Sequence, residues 1–216
     1  MKEKPIIFSG PMVRAILEGR KTQTRRVIKP QPRAIGGKDL WEFNGGFFVG
    51  DDDMRSHLFH DWYGNDKCPY GGVYGDGSSD VLWVRETFTL TQFNEPVYRA
   101  DARDKRGNRW NSIEPGDPDK EVIWKPSIHM PRWASRISLP LTAVRVERLQ
   151  DISNNDALAE GTPDLRTIEN NWELRDCFAH LWNSINGKKP GRTWEDNPWV
   201  WVLEWKEVIK NDISPT

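Results

Sequence analysis

Ile16-Leu17-Glu18-Gly19-Arg20-Lys21-Thr22-Gln23-Thr24-Arg25-Arg26 ends a helix, turns, and opens a strand. Upstream, Val13, Ile16 and Leu17 give the helix an apolar stripe. Ser9 or Gly10 can cap its start, and Pro11 suits its first turn, where a missing N–H costs little. Gly19 is the natural left-handed stop. Residues 22–28 then read as strand, closed by Pro30 and Pro32. From Arg14 to Arg33 there are seven Lys/Arg and one acid, Glu18, although the whole chain carries a formal net charge of only -1. A local basic face on a neutral chain suits an anionic or nucleotide-like ligand; a solvated basic turn is the plainer alternative.

Outward from this stretch, Ile6-Ile7-Phe8 predicts a short strand. Residues 36–77 hold ten of the seventeen glycines, the acidic run Asp51-Asp52-Asp53 and many aromatics. They predict a loop-rich insertion docked by its rings, with a hairpin turning at Asn44-Gly45-Gly46. Val81-Leu82-Trp83-Val84 predicts a buried strand that runs directly into Arg85-Glu86. Residues 101–120, polar and rich in Gly, Pro and Asp, predict an exposed excursion. Residues 137–149 predict a strand whose apolar parity switches near Thr142-Ala143, which implies a bulge there. Ser153 and Asp156 form a capping-box-like start for a short helix ending at Glu160-Gly161. Residues 170–185 predict an amphipathic helix burying Leu174, Cys177, Phe178, Leu181, Trp182 and Ile185, ended by Gly187. Trp199, Trp201, Leu203 and Trp205 alternate along a last strand with Val200, Val202, Glu204 and Lys206 opposite. Scattered strands with three helices predict an α+β class and a small closed or nearly closed sheet.

Composition narrows the setting. At 216 residues the chain suits one domain with embellishments or two small ones, and twelve tryptophans supply core area that a 37% apolar content would otherwise lack. No window approaches the ~20 apolar residues of a membrane span, and residues 1–8 carry no signal-peptide run. Two distant cysteines, Cys68 and Cys177, fit a reducing cytoplasm with free thiols.

Several constellations could carry chemistry. A threonine hydroxyl becomes a nucleophile when a neighbour takes its proton, and a lysine of depressed pKa can do so. Lys21 and Thr24 meet only if the chain is still turning after Gly19, because three positions apart on a regular strand they face opposite sides. Arg20, Arg25 and Arg26 supply the cations that would depress Lys21. Glu160, in the last turn of its helix, opposes the helix dipole, as does Glu18 before Gly19. Arg85 and Glu86 follow a buried strand, as site residues or as a rim salt bridge. Residues 125–133, including His129 and Arg132, make a stiff, basic, aromatic loop able to hold a base or phosphate, or simply to pack. His57, His60 and Cys68 have loose metal-like spacing, but the only fourth candidates are Asp61, Asp66 or the remote Cys177, so no metal and no other cofactor is expected.

Together these residues resemble ASCH domains of the PUA-like superfamily. The basic turn at 16–26, the segment Asp80-Val81-Leu82-Trp83-Val84-Arg85-Glu86, the helix ending Asp156-Ala157-Leu158-Ala159-Glu160-Gly161 and the strand at 199–205 are similar to successive elements of that family. Cys68-Pro69-Tyr70-Gly71 and residues 126–133 resemble segments of longer members found in phages and prophages. The resemblance implies a single domain over 1–216, a PUA-like β-barrel with flanking helices, and insertions at about 31–80 and 93–124. It implies a nucleoside, RNA or single-stranded nucleic-acid partner and no membrane. Small bacterial members that are similar at the basic turn are amidohydrolases removing acetyl from cytidine. Their catalytic lysine and threonine match Lys21 and Thr24, and their glutamate matches Glu160. Other members are described as RNA-binding proteins, which keeps a non-catalytic binding module as the alternative.

Overall fold

A computed structural model of the chain describes residues 2–36, 40–43, 46–49, 80–101, 123–165 and 171–211. In chain order the elements are β1 (Glu3–Ile7), α1 (Gly10–Leu17), β2 (Gln23–Val27), β3 (Arg33–Gly36), β4 (Leu40–Phe43), β5 (Gly46–Val49), β6 (Val81–Arg85), β7 (Phe88–Leu90), β8 (Pro96–Tyr98), β9 (Ile137–Arg148), α2 (Asn154–Ala159), α3 (Leu174–Asn186), β10 (Trp199–Trp205) and β11 (Ile209–Lys210). The chain is α+β. It separates into two compact units, one made of Met1–Lys2, Arg20–Asp80 and Leu141–Lys206, the other of Glu3–Gly19, Val81–Pro140 and Glu207–Thr216.

In the first unit β10 is the central strand, antiparallel to β2 on one side and to β9 on the other. Every β10 residue but Glu204 is buried, so both the Trp199-Trp201-Leu203-Trp205 side and the Val200-Val202 side lie in the core. Glu204 pairs with Ala143 and Trp205 with Leu141, leaving Thr142 as the extra residue. The parity switch in the sequence is this bulge. Leu149, Ile152, Ala157, Leu174, Phe178, Trp182, Val200 and Val202 form one apolar cluster. It fixes α2 and α3 against β10, and so fixes where α2 ends. The α3 helix starts at Leu174 rather than 170, because Glu173 caps it and exchanges capping-box bonds with Asp176. Ile185 was expected in the buried stripe but is 57% exposed, since the last turn runs past this cluster. Strands β3, β4 and β5 form an antiparallel meander in which Phe43 pairs with Gly46, so Gly46, expected in the turn Asn44-Gly45-Gly46, lies in β5. Residues 37–39, 44–45 and 50–79, with the trio His57, His60 and Cys68, lie outside the described residues, and the docking expected of the insertion with them.

In the second unit β1 runs parallel to β6, and β6 and β11 each pair antiparallel with the first residues of β9. The β7–β8 hairpin packs Phe88 and Tyr98 with Met130 and Ala134. Helix α1 buries Met12, Val13, Ala15 and Ile16, and Gly19 follows it at φ 73°, the left-handed stop its sequence predicts. The expected closed barrel is not seen. Pairing runs β1-β6-β9-β10-β2, and among the described residues each end strand has one strand partner. Closure needs a further ladder between the ends, and neither carries one. No helix among the described residues is long and apolar enough to cross a membrane.

Candidate functional site

The site is built on α2 and on the turn before β2, both in the first unit. Ser153 caps α2, and its hydroxyl accepts from the Asp156 backbone N–H at 3.0 Å. The helix ends in two interlocked bonds, Gly161 N–H to Leu158 O at 2.8 Å and Thr162 N–H to Ala157 O at 3.3 Å, with Gly161 at φ 71°. This is the left-handed stop that glycine favours. It holds Glu160 as the C-cap, just past Ala159, where its carboxylate opposes the dipole by a few tenths of a kcal/mol. That small cost is offset by two buried cations.

Lys21 forms an isolated antiparallel bridge with Glu160. Its Nζ donates to the Glu160 carbonyl oxygen at 2.7 Å and to Oε2 at 2.8 Å. Arg25 Nη1 donates to the other carboxylate oxygen, Oε1, at 3.2 Å, and Arg25 Nη2 donates to Glu147 Oε2 at 2.9 Å. Asp156 Oδ2 stands 3.7 Å from Arg25 Nη2. Gln23 Nε2 donates to Asp156 O at 3.0 Å and to its Oδ1 at 3.1 Å. Arg145 continues the network to Glu147, Asp156 and Glu204. Lys21 is 2% exposed and Glu160 is 4% exposed, so both members of the central pair are buried.

Burial pushes the Lys21 amine below its ordinary value. Glu160 pulls it back up through charge and hydrogen bonding, while Arg26 and Arg25 lower it further. Burial also works against ionising Asp156, but hydrogen bonds from Ser153 and Gln23 and the Arg25 charge outweigh it and hold that carboxyl below its ordinary value. The arrangement is therefore a carboxylate held from both sides beside an amine that releases its proton more readily than usual.

The structure brings together Lys21, Arg25 and Glu160, three residues the sequence singles out. It does not bring Thr24 to them. Gln23 and Arg25 reach α2 from one face of β2, and strand alternation turns the buried Thr24 between them to the other. Among the described residues the Thr24 hydroxyl makes no hydrogen bond with Lys21. Arg25 was expected to hold an anionic ligand; instead it is buried and spends its guanidinium on Glu147, Asp156 and Glu160. Arg20 is exposed and Arg26 half-buried.

Arg85, Glu86, His129 and Arg132 belong to the second unit. There Arg85 donates to the backbone oxygens of Met130 and Ile128, and Glu86 is a buried partner of Arg136. Arg132 pairs with Glu3, and His129 is exposed. The sequence reading missed Gln23, Arg145 and Glu147. Their signal was present: Arg145 and Glu147 share the parity of β9 opposite Val144 and Val146, and charges repeated along one side of a buried strand need partners. The hydroxyl of Thr162, two residues beyond Glu160, is buried and has no hydrogen-bond partner among the described residues. Compared with protein-family models, with curated proteins and with solved structures, the chain matches none.

Proposed function

We propose that the chain is an ASCH-type amidohydrolase on a PUA-like plan, acting on an acylated or otherwise modified pyrimidine nucleoside, with Lys21 and Glu160 as its acid–base pair. The meeting of Lys21 Nζ and Glu160 Oε2 at 2.8 Å, across 139 positions of chain, carries this reading. Amide hydrolysis needs a base for the attacking hydroxyl and an acid for the leaving amine. A lysine of depressed pKa serves as the base once neutral, and the carboxyl beside it relays the proton. The attacking oxygen bonds to the acyl carbon as Lys21 takes its proton. The carbon–nitrogen bond then breaks as that proton passes through Glu160 to the exocyclic nitrogen. Arg25 keeps the Glu160 carboxylate aimed at Lys21. The reading assigns attack to water, because the β2 side facing Lys21 and Glu160 is occupied by Gln23 and Arg25 rather than Thr24.

The test is release of cytidine from acetylated cytidine by the purified full chain, followed chromatographically. Turnover should rise with pH as Lys21 loses its proton. Lys21→Arg and Glu160→Gln should each lower kcat by about a hundredfold or more, and Thr24→Val should leave it near wild type. Loss of turnover in Thr24→Val would restore the threonine as nucleophile; no turnover in the wild type would end the hydrolase reading. The binding-module reading has one observation in its favour: both Glu160 oxygens facing Lys21 are engaged, so the pair also serves as a complete structural clamp. Under that reading the clamp only shapes the exposed basic turn at Arg20. RNA binding would then fall steeply with salt, and Lys21→Arg would be tolerated.

A further inference from the structure

Beyond Glu160 the ion pairs of the first unit close into a ring. In the sheet register, Val202 of β10 has Arg25 of β2 on one side and Arg145 of β9 on the other. Val200 likewise stands between Val27 and Glu147, and Glu204 between Gln23 and Ala143. All of these share one face of the three strands, because side chains alternate with a period of two. It is the face that α2 and α3 cover through Val200 and Val202. Two carboxylates bridge the two arginines across it. Glu147 Oε2 accepts from Arg25 Nη2 at 2.9 Å, and its Oε1 accepts from Arg145 Nε. Asp156 Oδ1, on α2, accepts from Arg145 Nη2 at 3.3 Å, and its Oδ2 stands 3.7 Å from Arg25 Nη2. Each carboxylate therefore offers one oxygen to each arginine. Glu204 joins from β10 as a further partner of Arg145.

The ring acts on the buried pair in two ways. The first is geometric. A guanidinium is a rigid planar fork, so fixing Nη2 on Glu147 also fixes where Nη1 points. Nη1 is the atom that holds Glu160 Oε1, at 3.2 Å. An arginine tied at one end only would let the Glu160 carboxylate turn away from Lys21. The second is electrostatic. Two arginines and two bridging carboxylates sum to zero, so Arg25 meets Glu160 with its charge largely matched. Unbalancing the ring has a sign. With Glu147 neutral, Arg25 draws harder on Glu160, and Lys21 gives up its proton more readily. Without Arg145, Glu147 and Asp156 both fall to Arg25, Glu160 is left to Lys21, and Lys21 keeps its proton longer. The charged groups around Lys21 are Glu160 and Asp156 from α2 and its cap, Arg25 and Arg26 from β2, Arg145 and Glu147 from β9, and Glu204 from β10.

We propose that Glu147 and Arg145 are positioning residues for the acid–base pair, acting through Arg25 to aim the Glu160 carboxylate and to balance its charge against Lys21. The assignment rests on the acid–base role proposed above, so one arm of its test needs no turnover. The full chain is prepared with ¹³C-labelled lysine, and the Lys21 Cε resonance, assigned by its loss in Lys21→Met, is followed against pH. Glu147→Gln should move the Lys21 midpoint down by roughly half a pH unit, and Arg145→Met should move it up by a similar amount. Glu147→Asp keeps the charge and should hold the midpoint near that of the wild type. In cytidine release, Glu147→Gln and Arg145→Met should show the same opposite shifts, with kcat about tenfold lower and KM little changed. A ring that only stabilises the fold would lower the urea midpoint in both variants and leave the Lys21 midpoint in place. That result, or two shifts of the same sign, would overturn the proposal. If Glu147→Gln does not fold, the upward shift in Arg145→Met decides the matter alone. Opposite Lys21 shifts in a chain without turnover would end the hydrolase reading and leave the coupling through Arg25 standing.

Discussion

Among the described residues each unit contains an ion network built around a buried carboxylate, and the two respond to burial in opposite ways. In the first unit the buried cations are Lys21 and Arg25, and Lys21 is the one that can give up a proton. Loss of solvent lowers Lys21, and Glu160 only partly restores it. In the second unit the cation is Arg136, which grips both oxygens of Glu86 at 2.8 and 3.0 Å and lies 3.9 Å from the centroid of the Tyr98 ring. Burial works against Arg136 too, but hydrogen bonds to Glu86 and Asp101 leave it above its ordinary value. Desolvation then falls on the carboxyl: Glu86 is raised by burial, pulled back by Arg136, and raised again by the Asp101 charge. An arginine does not give up its proton, whereas a lysine does when desolvated. The lysine network is therefore suited to proton exchange and the arginine network to holding strands together.

Their wiring differs as well, and this predicts the largest effect. Glu86 has Arg136 as its sole cation among the described residues, whereas Glu160 has both Lys21 and Arg25. Arg136→Met should strand a buried carboxylate and cost about 3–5 kcal/mol. Lys21→Met leaves Glu160 on Arg25 and should cost only about 2 kcal/mol, the size of a charge-assisted hydrogen bond. Urea unfolding of the two variants measures the gap directly. Equal losses would mean that Arg25 does not support Glu160 and that the lysine network is no better buffered than the other.

The pH dependence should separate them next. The folded chain holds the Lys21 proton more weakly than the ordinary 10.5. Between the lowered value and 10.5 the unfolded chain binds more protons, so stability rises with pH across that window. Glu86 is the reverse: its proton is held more tightly than at the ordinary 4.5, so stability falls as pH climbs from 4.5 through the raised value. Lys21→Met should remove the alkaline rise and Glu86→Gln the acid-side fall, both read from the urea midpoint against pH. Glu160 holds the Lys21 proton on while burial, Arg26 and Arg25 act to release it, so a wild-type profile that is flat at alkaline pH would show that Glu160 keeps Lys21 charged.

Much of this was legible in the sequence where short-range rules apply. Gly19, Gly161, the Ser153–Asp156 capping box and the bulge at Thr142 are local matters of backbone conformation and parity, and each is found where the residues predict it. Lys21 and Glu160 were legible as individuals, but their meeting depends on a strand and a helix end far apart in the chain. Arg25 was legible as a strand residue and as a cation acting on Lys21, but a run of basic residues looks like a surface, and the register Val202–Arg25 against the buried β10 is what shows it to be buried. The Lys21–Thr24 contact was not legible because the turn after Gly19 ends sooner than such a contact requires: Gln23 already lies in β2. A closed barrel cannot be read from strand content, since closure depends on which strands pair at the ends.

The smallest effect is expected where the ion pair is exposed. Glu3 and Arg132 meet in two bonds at 2.7 and 2.9 Å, yet their side chains are 51% and 38% exposed. Water and salt screen such a pair, so Glu3→Gln should change stability by no more than about 1 kcal/mol. The urea midpoint of this variant measures the effect, and a loss as large as that expected of Arg136→Met would mean that the pair is shielded from water despite its exposure.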